Sequence, residues 1–261
     1  MIDCCCWVGA YPFRYTPHPD PETLVRVLER EGLEGAWVGH LPSAFWRDPT
    51  PGNAQLRTAL LRYGGVLHPT PIVRPDWPGW ERVLDDAARQ ELPAVRAYPP
   101  QWGMGPHDPS VRRLVERCGE LGLVLLLTVR FEDLRQRGAL EVAGDLQPAA
   151  VRAMARVSGR ARIVVAGAAR EFIEEVHWGL TPDERSRLFW DFAWVWGPPE
   201  DQLAQLFGTM GSDRFVFGTH WPLRLTQVPR ANLDLLPREL AGSSLADPRA
   251  IVQAARAAAS R

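Results

Sequence analysis

The chain has no lysine: all 30 of its basic residues are arginine. That removes a Schiff-base amine and a carbamylated lysine bridge from the chemistry open to it. Cysteine is scarce as well. There are four in 261 residues, with Cys4, Cys5 and Cys6 adjacent and Cys118 apart. Successive strand residues point to opposite faces and do not readily bridge each other. A disulfide framework is therefore not expected, and a reducing compartment fits. No apolar run approaches the ~18 residues that suggest a membrane span. No basic-then-apolar leader precedes Asp3, so the expectation is a cytoplasmic protein without a membrane partner. A formal net charge of −1 gives no basic face for nucleic acid. No GxGxxG turn follows a strand, and there is no internal repeat.

What is present is ordinary globular material. Hydrophobic residues make up 46% and charged residues 23%, enough at this length to bury a core without staples. Apolar strand-like runs alternate with helical periods. The pattern predicts strands at Ile2–Val8, Gly35–Val38, Val66–Val73, Ala94–Tyr98, Leu123–Val129, Ala161–Ala166, Leu188–Val195 and Phe215–Phe217. It predicts helices at Pro21–Glu31, Ala54–Tyr63, Trp77–Gln90, Pro109–Leu121, Pro148–Val157, Thr181–Ser186, Pro199–Phe207 and Asp247–Arg261. His177 and Trp178 are expected in a loop or at a helix start after the sixth strand. Eight alternations without a long linker predict an α/β fold: one (β/α)8 TIM barrel over residues 1–261. The proline-rich stretches Tyr11–Pro21 and Pro99–Pro109 then belong to its mouth.

Two stretches carry a resemblance. Ile2-Asp3-Cys4-Cys5-Cys6-Trp7-Val8-Gly9 resembles the opening of the amidohydrolase superfamily's amidohydrolase-2 branch, Ile-Asp-x-His-x-His-x-Gly. Phe215-Val216-Phe217-Gly218-Thr219-His220-Trp221-Pro222 is similar to that branch's closing strand, Leu-Phe-Gly-Ser-Asp-Trp-Pro. Gly52-Asn53 and Arg96-Ala97-Tyr98-Pro99 fall where the branch has similar residues. The resemblance implies a metal-dependent hydrolase or decarboxylase barrel, and it also locates the departures. The branch's two first-strand histidines fall on Cys5 and Trp7, its fifth-strand histidine on Thr128, its sixth-strand histidine on Gly167 and its last-strand aspartate on His220. A catalytic zinc needs about three protein ligands and an open position. Of these positions only Cys5 and His220 offer good donors.

Two readings follow. In the first, the usual metal centre is absent and no metal is expected. The protein is then a non-catalytic small-molecule binder, partnered by an active homologue or by further copies of itself in a homo-oligomer, or an enzyme using Cys5 as nucleophile, His220 as base and Asp191 as orienter. In the second, Cys5 and His220 join His40 or His68 in a rearranged one-zinc site. Trp7, Arg96, Tyr98, Thr128, Arg130, Arg170 and Trp221 are the candidate substrate-binding residues. The arginines suit a carboxylate or phosphate, and the rings suit an apolar wall. The bland alternatives are that the cysteines fill buried positions, that Trp7 fills vacated space, and that the arginines are surface or ion-paired residues. Aligned as the resemblance implies, Cys5 and Trp7 face the barrel interior, and strand alternation then turns Cys4 and Cys6 towards the helices. A slip of one residue reverses this.

Overall fold

The computed structural model describes residues 1–261. Seven parallel strands are β1 (Ile2–Val8), β2 (Gly35–His40), β3 (Leu67–Pro69), β4 (Ala94–Ala97), β5 (Val124–Thr128), β6 (Arg162–Ala166) and β7 (Leu188–Trp190). They form two runs, β1-β2-β3 and β4-β5-β6-β7. Backbone contacts close these runs into a ring. Arg96 of β4 exchanges bonds with Pro71 O and Val73 N beyond β3, each 2.8 Å. Past β7, the segment Phe215–Phe217 takes the eighth position: Val216 N donates to Trp190 O and Cys4 N to Phe217 O, each 2.8 Å. The result is the expected (β/α)8 barrel.

Strand lengths differ from the sequence pattern for local reasons. The third strand shrinks to three residues because Pro69 and Pro71 have no N–H to donate. The seventh stops at Trp190 rather than Val195, and the chain turns away across the mouth, leaving Asp191 N on Val165 O at 3.1 Å. The eighth keeps only a bridge between Trp190 and Phe215.

Helices α1 (Pro21–Arg30), α2 (Thr50–Leu60), α3 (Trp80–Arg89), α4 (Pro109–Leu121), α5 (Pro148–Ala155), α6 (Arg170–Trp178), α7 (Pro182–Ser186), α8 (Gln202–Met210), α9 (Gln227–Asp234) and α10 (Pro248–Ala259) complete the chain. Asp20, Asp108 and Asp247 cap α1, α4 and α10, and Thr181 with Glu184 forms a capping box on α7. His177 and Trp178 close helix α6 rather than lying in a loop. No helix is long and apolar enough to cross a membrane.

Two apolar layers follow from strand alternation. Val95, Ala97, Leu125, Leu127, Ile163 and Val165 face the helices. Ala94, Val124, Leu126, Val164, Ala166 and Val216 face the interior, where Ile251, Val252 and Ala255 of α10 pack against them. At the opposite end, where the β-to-α connections lie, Trp7, Tyr11, Leu41, Tyr98 and Phe131 fill the mouth.

Candidate active site

The site begins with an irregularity in β1. Asp3 pairs with Ala36 and Cys6 with Val38, so three steps on β1 oppose two on β2. This bulge inserts one extra residue. Cys5 and Trp7 lie inside the barrel and Cys6 packs under the helices, as the resemblance implies. Cys4 does not follow the alternation. It belongs with Cys5 to the interior layer, because the extra residue interrupts the in-out rhythm. All four cysteines are free and buried. Burial pushes the Cys4 and Cys6 thiols well up and the Cys118 thiol to about 12.

His220 enters from the eighth position. Its N–H donates to Cys5 O at 2.7 Å, and its backbone is left-handed, φ 60°, an uncommon conformation for a residue with a Cβ. Imidazole Nε2 donates to Asp191 Oδ2 at 2.8 Å, while Asp191 Oδ1 accepts Gly167 N at 3.0 Å. The other ring nitrogen, Nδ1, is buried without a hydrogen-bond partner. One donor atom from each of Cys5, Asp191 and His220 lies within 4.8 Å of the others. All three residues are 0% exposed. Burial works against a charged His220, but Cys5 and Asp191 outweigh it and raise its pKa.

Gly167, where the resemblance places a histidine, makes this packing fit. Its φ is +83°, and a Cβ there would lie 2.9 Å from Arg130 O and 3.1 Å from His220 Cε1.

Asp3 holds the two halves in register. Its carboxylate accepts Cys5 N at 3.0 Å, Thr219 N at 3.1 Å and the Thr219 hydroxyl at 2.6 Å. Thr219 Oγ1 in turn accepts Trp221 N at 3.1 Å. The residue that positions both Cys5 and His220 is therefore Asp3, a role the sequence reading missed. The signal was available: Asp3 matches the family opening residue for residue.

Arg96 crosses the interior from β4. Its Nε donates to Thr70 Oγ1 at 2.6 Å and its Nη1 to Cys5 Sγ at 3.6 Å. Nη2 reaches Cys4 O, Cys6 O and Trp37 O at 3.2, 3.3 and 3.0 Å. The guanidinium lies 4.3 Å from the centre of the Trp7 ring. It is 1% exposed, so it faces the barrel's own atoms rather than an open mouth.

The other candidates are more dispersed. Tyr98 donates to Gly144 O at 3.2 Å, and the Trp7 ring packs tilted against Phe131, centroids 5.1 Å apart. Thr128 ends β5 and is buried, as is Trp221. Arg130 pairs with Asp145 at 3.1 Å and lies 5.6 Å from the Trp194 ring. Arg170 opens α6 and pairs with Glu174 on the same helix at 2.9 Å. His40 packs against Trp46 and His68 sits on β3; neither belongs to the Cys5 cluster. The mouth also holds a cation the sequence reading did not single out. Arg224 lies 4.3 Å from the Trp194 ring and makes no ion pair.

Loops close over this centre. Tyr11 donates to Glu141, and Arg14 Nε to Glu132 at 2.7 Å, tying the loop after β1 to the loop after β5. Beneath them Phe45, Tyr98 and Phe131 pack edge to face or tilted.

The donors can be compared with the metal that the resemblance implies. At the five aligned positions Gly167 has no side chain, Trp7 is packed on Phe131 and Arg96, and Thr128 offers only a hydroxyl, a poor zinc ligand. Cys5 and His220 remain, with Asp191 as a third donor. Both Asp191 oxygens and His220 Nε2 already hold hydrogen bonds, and a guanidinium donates to Cys5. These residues do not fit the ligand set of the resemblance.

No protein-family model matches the chain. No curated protein matches it either. Solved structures do. A structure of amidohydrolase II is 12% identical over 97% of this chain and 99% of its own, with TM-score 0.66. The 4-oxalomesaconate hydratase of Rhodopseudomonas palustris is 11% identical over 99% and 97%, with TM-score 0.66. The 5-carboxyvanillate decarboxylase of Sphingomonas paucimobilis is 12% identical over 100% and 97%, with TM-score 0.62. Over its whole length, this chain therefore has the (β/α)8 barrel fold of those amidohydrolase, hydratase and decarboxylase structures.

Proposed function

We propose that the chain is a metal-independent barrel enzyme with Cys5 as nucleophile, His220 as general base and Asp191 as the group that orients the base. The observation that carries this reading is the division of labour at His220. One ring nitrogen is held by Asp191 at 2.8 Å, the other has no partner, and Cys5 Sγ lies in the same 4.8 Å cluster. A thiol needs this arrangement to give up its proton. The reaction class is acyl hydrolysis. With the thiol's proton already held on His220, whose pKa Cys5 and Asp191 raise, the sulfur adds to a carbonyl carbon. His220 then protonates the leaving group, and water cleaves the thioester.

The substrate we propose is a small anion. Arg130 and Arg224 flank the same indole at 5.6 and 4.3 Å, and guanidinium forks suit carboxylate or phosphate. Two structural neighbours are named for carboxylate-bearing compounds, 5-carboxyvanillate and 4-oxalomesaconate.

The absence of any exposure at Cys5, Asp191 and His220 favours a second reading, a non-catalytic binder or partner whose centre only holds the barrel together. Iodoacetamide labelling near neutral pH separates the two. An activated Cys5 is modified faster than Cys118, whose thiol burial holds at about 12, and replacing His220 slows the modification. Equal, slow labelling of all four cysteines overturns the enzyme reading. Metal analysis of protein purified without chelator is expected to find no stoichiometric metal, and one zinc per chain overturns the metal-independent reading.

A further inference from the structure

We propose that Arg96 is a built-in cation that keeps divalent metal out of the Cys5, Asp191 and His220 cluster. The inference rests on the metal-independent part of the reading above and not on the nucleophilic role of Cys5.

The argument starts from charge. A guanidinium stays protonated in proteins, and a buried charge needs partners. Arg96 has no carboxylate partner. Its shell is the Thr70 hydroxyl, the Cys5 sulfur, three carbonyls and the face of Trp7. The β1 bulge helps to make that shell: Cys4 and Cys5 fall where the ladder with β2 is interrupted, and Cys4 O accepts from Nη2. Gly39 completes it. A Cβ at residue 39 would lie 2.9 Å from Arg96 Cδ and 2.7 Å from the Trp7 ring. The cation is thus held in place from β1, β2 and the end of β3.

The second step is proximity. Cys5, Asp191 and His220 have three donor atoms close enough to share one ion, and three protein ligands with an open position is the usual form of a catalytic zinc site. Arg96 already donates to the sulfur of that set at 3.6 Å. A divalent ion on this sulfur would lie a few ångströms from a fixed positive charge in a site shielded from water, where like charges repel strongly. The arginine therefore supplies a single positive charge beside the sulfur and makes a second cation there unfavourable.

Cobalt(II) is the probe, because thiolate ligation gives a charge-transfer band that carboxylate and imidazole alone do not. Wild-type protein, reduced and anaerobic, is titrated beside Arg96→Met and Arg96→Gln, with folding followed by circular dichroism. The expected result is no Cys5-dependent band in wild type. The neutral variants take up one cobalt per chain, at least about a hundredfold more tightly, with a band that adding Cys5→Ser removes. A Cys5-dependent band in wild type overturns the proposal, as does a folded neutral variant that binds no cobalt.

If neither neutral variant folds, Arg96→Lys decides, because a buried lysine can lose its charge. Uptake that appears as pH is raised in Arg96→Lys but not in wild type at the same pH supports exclusion by charge, and uptake at no pH, or equally in both, overturns it. Slow labelling of Cys5 would sink the nucleophile reading and leave the cobalt result standing.

Discussion

His220 Nε2 donates to Asp191 Oδ2 across 2.8 Å, and neither side chain has any contact with solvent. Removing one member strands the other, polar and dry. Breaking a buried pair by deleting one partner costs about 3–5 kcal/mol. Asp191→Ala is expected to destabilise the fold by that amount in urea unfolding. The double variant with His220→Leu is expected to lose clearly less than the sum of the two single changes. Additive losses would mean that the two side chains are not coupled.

The same pair sets a pH dependence. Cys5 and Asp191 raise the His220 pKa above its ordinary 6.5 despite burial. The folded state therefore binds a proton more tightly than the unfolded chain. The stabilisation is fully present below about 6.5 and is lost as pH rises through the raised value. Wild-type thermal stability is expected to fall through that alkaline window, and Asp191→Asn is expected to flatten the fall. A wild-type profile that rises over the same window would contradict the charged imidazole.

The barrel was legible because its signals are local. Continuous apolar runs such as Leu123–Val129 mark strands buried on both faces, and alternation sorts Leu125 and Leu127 from Val124 and Leu126. Cys5, Asp191 and His220 were also reachable, since they lie on or just after strands that adjoin in the closed barrel. The orientation of Cys4 was not. It depends on a bulge, a matter of register between β1 and β2 that no composition or period in β1 encodes. The burial of Arg96 was missed for a similar reason. An arginine after Val95 reads as a mouth residue, and only the space left by Gly39 and the carbonyls beside the bulge let it fold back into the interior.

Gly39 offers a direct check on that packing. A methyl at residue 39 would meet the Trp7 ring at 2.7 Å and Arg96 Cδ at 2.9 Å. Overpacking of this kind costs about 1–3 kcal/mol, so Gly39→Ala is expected to lower the melting temperature. Gly65 has nothing within 4 Å of its added Cβ. Gly65→Ala is expected to stay within about 0.5 kcal/mol of wild type. Equal melting temperatures for the two variants would place Trp7 and Arg96 elsewhere.

Asp3 offers a test of positioning. Its carboxylate takes three hydrogen bonds, two of them from Thr219. Asp3→Asn keeps the shape but turns one acceptor into a donor facing a hydroxyl or a backbone N–H. Leaving a buried group unsatisfied costs about 1–3 kcal/mol, and that loss is expected in urea unfolding. Thr219→Ser retains the hydroxyl that reaches Asp3 and is expected to cost less than Thr219→Val, which deletes it. If Cys5 is the nucleophile, Asp3→Asn also slows its alkylation relative to Cys118 under conditions where the variant is fully folded, because Asp3 fixes the backbone of both Cys5 and the residue before His220. Unchanged relative labelling in a folded Asp3→Asn protein would confine Asp3 to holding the barrel closed.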